Sequence, residues 1–517
     1  MALVGRTNAP PAYQIPDQRR HFSAFAKPPG RLSPSVAYVL LCGALLAVLV
    51  AVAAHRPWSG DLGMHLATLA RLRADFFHPG DPLVDSAIPS PYYSPYTLLL
   101  DGIARITGAA DTTVLAAAGP VNAALFFGGL YRFVNILSVR RYAPCFALIC
   151  VLVLWGFQPI LWSGFISLWA LPLTMCYPST AATALTLLLW AGLARGIGRP
   201  LNRLGQGVLL GVIGLTHPFA FVVAAIGAAA IILWRRHELT ARVGAWLAAA
   251  ATLTGALLAA WPYYPFFALF GVTSLDGMHA YLYSRPLAFY GLALLALPAV
   301  WRRLRRDRTD PLVLLCLAGL LAVAAGAVTG RYSLGRLWPA VMLSAQIALG
   351  IDLCERARRK VDQVLVSVPV IALVFGLAVQ GGHLALAVPQ RWLPAVLARH
   401  HQWPDYAWLD RYIKTGDVIV TDDYDALRMV PAYGARTIPP AWPDPFLPDQ
   451  SARWADVAYL HAPRATTAER RALIAKYHAS WILEIPGQWS ICDGRAPVAT
   501  GPQGQRLYAT SLATVCR

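Results

Sequence analysis

The stretch WSGDLGMHLATLARLRADFFHPGDPLVDSAIPSPYYSPYTLLLD, Trp58 to Asp101, directly follows the first long apolar run of the chain. It carries Asp61, Asp75, Asp81, Asp85 and Asp101 beside His65, His78 and the paired tyrosines Tyr92 and Tyr93. Acidic residues are sparse in the rest of residues 1–386. A segment that gathers carboxylates immediately after an apolar run reads as a loop held at a membrane surface, and as a candidate reaction site.

The whole composition agrees with a membrane setting. The chain has 517 residues, 57% hydrophobic and 14% charged, more apolar surface than a soluble protein of this length can hide. The net charge of +18 comes from arginines clustered between apolar runs. No aromatic-basic groove or nucleic-acid motif accompanies them, so no nucleic-acid partner is expected. Alternating clusters of this kind are the positive-inside signature.

Working outward, residues 1–35 are polar, Pro-rich and basic, and read as a disordered cytoplasmic lead. The first apolar run, Val36 to Ala54, ends in Ala51-Val52-Ala53, which mimics a signal-peptidase site. Its length is enough to span, whereas a signal core has about 7–15 residues, so it is expected to remain as a span. Ten further runs follow, near 112–137, 143–162, 172–194, 204–217, 218–235, 241–269, 286–301, 311–330, 334–353 and 363–386. The pair meeting at Thr216-His217-Pro218 could instead be a broken hairpin. With the N-terminus inside, alternate loops carry Arg140 and Arg141, then Arg195, Arg199 and Arg203. The series continues with Arg235, Arg236 and Arg242, then Arg302 to Arg308, then Arg356 to Lys360. The expectation is an α-helical polytopic membrane protein of about eleven spans over 36–386, with the first loop (55–111) and the C-terminal tail outside.

The tail, 387–517, has 12 acidic and 14 basic residues and no run long enough to span. Asp417–Thr421 and Trp481–Ile485 read as strands. A short helix is expected from Asp423 and another over Thr467–His478, capped by Thr466 or Thr467 with Glu469 in the first turn. A small extracytoplasmic α/β domain is the reading. Cys492 and Cys516 are the cysteines outside apolar runs, in a compartment that favours disulfides, and are expected to pair. Asp422-Asp423-x-Asp425 reads as a turn and helix cap rather than a metal site, and no metal or cofactor is expected.

Within the first loop, Leu62, Leu66, Leu69, Leu72 and Phe76 recur at helical spacing, as in an amphipathic helix lying on the membrane surface with its apolar side down. Asp61 opens that helix and shares a face with His65. Asp61 is either the N-cap or a carboxylate that takes a proton from an acceptor hydroxyl, with His65 orienting it or simply on the surface. Tyr92 and Tyr93 could line a sugar pocket or anchor at the interface. Arg285, Arg331 and Arg336 fall in outer loops against the charge bias. They either hold a phosphate bidentately or snorkel to headgroups. His217, at its span junction, is a pocket residue or a satisfied interior histidine.

These features resemble the C-type membrane glycosyltransferases. The residues that carry the resemblance are Gly60-Asp61 after a first span, the tyrosine-proline stretch before the next, an odd number of spans, and a tail bearing GDVIVTDD and VPAYGARTIPP. The resemblance implies a sugar donor on a polyprenyl phosphate and a glycan, lipid or protein acceptor of the cell envelope. It gives Asp61 the place of the loop-one carboxylate. Members often carry an adjacent acidic pair there, whereas Leu62 follows Asp61. A lipid-linked glycan ligase or polymerase, or a flippase of lipid-linked glycans, are the competing readings. A flippase predicts repeat symmetry and mid-span charges, and the sequence has neither.

Overall fold

The structure is a computed structural model that describes residues 33–197, 200–356, 363–393, 403–488, 490–492 and 494–510. The lead expected over 1–35 lies almost wholly outside the described residues, as does Cys516.

The apolar runs become helices. Helix α1 (Pro34–His55) is capped by Ser33 and closed by Arg56 in the left-handed conformation. The first loop contributes α2 (Leu62–Ala74) and α3 (Pro95–Thr107), the latter opened by a capping box between Ser94 and Thr97. Then come α4 (Asp111–Leu137), α5 (Ala143–Val153), the single turn α6 (Leu171–Thr174), α7 (Pro178–Arg195), α8 (Pro200–Thr216), α9 (Pro218–Trp234) and α10 (Ala241–Ala259). The turns α11 (Asp276–His279) and α12 (Pro286–Tyr290) precede α13 (Leu297–Arg306), α14 (Pro311–Thr329), α15 (Trp338–Arg356) and α16 (Gln363–Gln380). Among the described residues six helical segments are long and apolar enough to cross a membrane, and three shorter apolar helices accompany them.

Two junctions depart from simple spans, and both shape the interior. The run expected to continue to residue 162 stops being helical at Val153, and an irregular segment leads to Ala170. Its backbone groups are bonded elsewhere: Gln346 Nε2 donates to Leu154 O at 2.8 Å, Leu168 N to Leu152 O at 2.7 Å and Gln158 N to Ala288 O at 2.9 Å. Non-helical backbone at such a place requires partners of this kind. Gly156 permits the closest approach, since a Cβ there would lie 2.2 Å from Ala288 O. At the second junction α8 and α9 meet at His217. Pro218 has no N–H to continue the ladder, and His217 Nδ1 caps α9 by accepting from Ala220 N at 3.1 Å. The helices are separate at this joint.

The tail forms a five-stranded sheet, order β2-β1-β3-β5-β4. Its elements are β1 (Val418–Val420), α17 (Tyr424–Met429), β2 (Arg436–Thr437), α18 (Gln450–Leu460), α19 (Thr467–Lys476), β3 (Ala479–Glu484), β4 (Ala499–Thr500) and β5 (Arg506–Ala509). β1 pairs in parallel with β2 and β3, while β5 runs antiparallel to β3 and β4. Asp423 caps α17 and Thr466 caps α19 in a box with Glu469. Cys492 is disulfide-bonded, and the six cysteines of the apolar runs are free.

The surface position expected for α2 is corrected. Met64, His65, Leu66, Ala67, Leu69 and Leu72 are all buried, because the tail covers the helix. Leu66 and Leu69 pack with Tyr96 and Tyr177 of the span side, whereas Met64 and Ala67 pack with Leu427 and Ala441 of the tail. The first loop even joins the sheet: Thr437 N donates to Leu83 O at 2.8 Å, in a parallel bridge between Val84 and Thr437.

Candidate active site

Asp61 stands at the start of α2, but its carboxylate does not cap the helix. Instead Oδ1 accepts from the indole Nε1 of Trp442 in the tail at 2.7 Å. The Asp61 backbone N–H donates to the Tyr177 hydroxyl at 2.9 Å, and that hydroxyl donates to Ser59 O at 2.5 Å. The position of the carboxylate is therefore set by three segments: the end of the first span, the start of α7, and the tail.

The other loop carboxylates are committed. Asp75 accepts from the Phe77 and His78 amides, Asp85 pairs with Arg436, and Asp101 pairs with Arg105 at 2.7 Å. Asp81 accepts from the Leu83 and Val84 amides, both at 2.8 Å, and shares a hydrogen bond with Asp444 of the tail. Asp61 lies within electrostatic reach of Arg336.

His65 is buried beside it, its ring 4.7 Å from that of Tyr177 and 5.9 Å from that of Tyr92. Burial pushes the imidazole down to about 4 against the pull of Asp61, so it is neutral at physiological pH. Among the described residues it makes no side-chain hydrogen bond to Asp61, and Nδ1 has no partner. The two groups are close enough to interact electrostatically without a hydrogen bond between their side chains, and Asp61 precedes the helix with non-helical backbone.

Arg336 is 7% exposed, and its guanidinium lies 4.9 Å from the Phe219 ring centre and 5.9 Å from that of Trp162. One Nη sits 3.1 Å from His217 Nε2. His217 Nδ1 already spends its lone pair on the Ala220 N–H, so a neutral ring carries its proton on Nε2. Two donors therefore converge, and Arg336 Nε also lacks a hydrogen-bond partner. An oxyanion supplies the acceptors this arrangement wants. Arg336 and His217 line a pocket together with Trp155, Ser163, Ile166, Val223, Leu343 and Gln346.

The structure thus brings Asp61, His65, Tyr92, His217 and Arg336 together and leaves the other sequence candidates outside. Arg331 is half-exposed and sits 3.9 Å from Asp276. Arg285 reaches Gln158 at 3.5 Å on the surface. Tyr93 is buried against Tyr263, ring centres 5.6 Å apart, away from the cavity lining. Tyr177, Trp442 and Arg428 escaped the sequence reading; Trp442 lies two residues beyond VPAYGARTIPP, the stretch noted in the tail. Among the described residues no group of three or more His, Cys, Asp or Glu side chains is placed to hold a metal ion.

No protein-family model matches the sequence, and no curated protein matches it significantly. Solved structures do. The Archaeoglobus fulgidus oligosaccharyltransferase, in its apo form, matches at 11% identity and a TM-score of 0.50, over 86% of this chain and 69% of that one. The mycobacterial arabinofuranosyltransferase AftD matches at 15% identity and a TM-score of 0.53, over 90% of this chain. The chain spans only 36% of AftD's length. At such identities the likeness is one of fold: the chain folds like these two C-type glycosyltransferases.

Proposed function

We propose that this chain is a membrane glycosyltransferase that moves a sugar from a polyprenyl-phosphate donor to a cell-envelope glycan, lipid or protein acceptor at the outer membrane face. The observation that carries the reading is the convergence of the Arg336 and His217 donors in a pocket whose other lining is largely apolar, with Asp61 in electrostatic reach. The fold shared with an oligosaccharyltransferase and an arabinofuranosyltransferase supports it. The proposed outer position also accounts for the donor class, since a lipid-borne sugar would reach such a site and a nucleotide sugar made inside would not.

In this reading the donor phosphate lies between Arg336 and His217 Nε2–H, and the prenyl chain leaves toward the apolar lining. The acceptor hydroxyl oxygen attacks the anomeric carbon. The bond from that carbon to the phosphate oxygen breaks with its electron pair, and polyprenyl phosphate leaves. Asp61 takes the hydroxyl proton. Trp442 N–H holds the carboxylate at one oxygen, leaving the other for the acceptor. Arg336 and His217 stabilise the charge that grows on the leaving phosphate, which is where preorganised donors lower the barrier most. Tyr92 closes the wall beside His65.

The topology that fits is eleven spans, with the N-terminus cytoplasmic and both the first loop and the tail outside. The direct test is transfer in vitro by the purified full chain from a panel of polyprenyl-phosphate hexoses and pentoses. Consumption of one donor with appearance of a glycosylated acceptor is expected. Translocation of such lipids across vesicles without any transfer would replace this reading by a flippase.

A further inference from the structure

Apart from Trp442, the file of aromatic side chains on the tail has no part in the chemistry above. It begins at α17. Asp423 accepts from the Asp425 and Ala426 amides at 3.0 and 2.8 Å, which fixes where the short helix starts. Its first residue, Tyr424, is thereby presented outward and is 54% exposed, while Ala426, Leu427 and Met429 are buried. The Tyr424 ring lies 3.6 Å from the Arg428 guanidinium, and the same guanidinium is 3.9 Å from the Trp442 ring centre. Tyr424 and Trp442 meet edge to face at 6.3 Å, and Trp403 stands 6.1 Å from Tyr424. The file ends on the indole whose N–H holds Asp61 at 2.7 Å.

An exposed, rigidly seated aromatic face can act as a membrane anchor or as a platform for a sugar ring. Interfacial anchors work beside cations that meet lipid phosphates. Here the cation of the file, Arg428, is buried between the Tyr424 and Trp442 rings, and the neighbouring side chains in sequence are the carboxylates Asp422, Asp423 and Asp425, of which Asp422 is exposed. Carboxylates repel an anionic headgroup layer, yet they accept hydrogen bonds from sugar hydroxyls. The C–H face of a sugar, meanwhile, stacks on an aromatic ring as an apolar surface does. We propose that Tyr424, with Trp403 beside it, is a platform for the sugar ring of a saccharide acceptor, and that Trp442 is a positioning residue that joins this platform to Asp61. The inference rests on the transferase reading of the Asp61 site, and it gives the acceptor a chemical class: a saccharide.

The two residues predict different kinetic signatures. Tyr424→Leu keeps bulk but loses the flat face, and acceptor KM should rise about tenfold with donor KM within about twofold, while Tyr424→Phe restores it. Trp442→Phe keeps a face but loses the N–H on Asp61, so kcat and its pH profile should change with little movement of acceptor KM. A binding measurement frees the test from turnover. The full chain in nanodiscs is probed by saturation-transfer NMR with the methyl glycosides of glucose, galactose, mannose and arabinofuranose. At least one should show transfer to its ring protons with wild type and Tyr424→Phe, and lose it with Tyr424→Leu. Saccharide binding indifferent to Tyr424→Leu, or none with wild type, overturns the platform. Tyr424-dependent binding by a protein that consumes no polyprenyl-phosphate sugar upholds the platform and removes the transferase reading instead.

Discussion

At the scale of single residues, Asp61 carries the most. An N-cap contributes about 1 kcal/mol to stability, while general-base assistance contributes roughly 10²–10⁴-fold to rate. The carboxylate makes no cap bond and accepts from Trp442, a bond an asparagine oxygen can also accept. Asp61→Asn is therefore expected to fold and express normally, with transfer reduced at least about a hundredfold; a thermal melt beside the assay checks both halves. Near-normal turnover would return the search for the base to the other loop aspartates, although each of those is committed to a structural partner. Arg336→Ala should cost about 1.5–3 kcal/mol of donor binding, a ten- to hundredfold rise in donor KM. Arg331→Ala should leave it unchanged, since Arg331 is turned to Asp276. Equal effects at the two positions would show that the cavity arginine is not special.

At the scale of elements, α2 is the layer between spans and tail, and Gly63 shows how tightly it is held. A Cβ at Gly63 would lie 1.9 Å from Arg428 O and 2.9 Å from its carbonyl carbon, rigid backbone at the end of α17. Gly63→Ala must push the tail away, at about 1–3 kcal/mol for overpacking. The displacement also draws Trp442 from Asp61, so faster proteolysis of the tail and loss of transfer should appear together. The second clasp is Asp81 with Asp444. Burial, then the neighbouring Asp81, pushes Asp444 up to about 7, and burial raises Asp81 as well. An unfolded aspartate titrates near about 3.9, so between about pH 4 and pH 7 the docked state binds more protons than the undocked one. Its stability then falls as pH rises through that window. Hydrogen exchange of residues 418–437 should quicken from pH 5 to pH 8 beyond the intrinsic base-catalysed rate, and Asp444→Asn should flatten that excess. Exchange whose pH dependence is the same in both proteins would show that the pair carries no shared proton.

At the scale of the whole molecule, the proposed outside placement of loop and tail rests on the alternating arginine clusters. A membrane-impermeant thiol reagent tests it on a cysteine placed at exposed Asp422. Labelling in intact cells is expected, and labelling only after permeabilisation would sink the eleven-span topology. The membrane class, the apolar runs, the first-loop carboxylates, the caps Asp423 and Thr466 and the two tail strands were all legible in the sequence. These depend on periodicity, composition and bonds between residues a few positions apart, and such signals lie along the chain itself. The end of α5 at Val153, the burial of α2, the choice of Arg336 over Arg331 and Arg285, and the clasp of Trp442 on Asp61 were not legible. Each depends on partners far away in sequence: Gln346 for Leu154, the tail for α2, His217 for Arg336, and a separation of 381 positions for Trp442 and Asp61. The sequence by itself determined that this chain carries helices long and apolar enough to cross a membrane and gathers acid in the loop after the first of them. Only the tertiary structure decided which acid comes within electrostatic reach of Arg336, because that choice is made by packing between segments whose local patterns carry no record of one another.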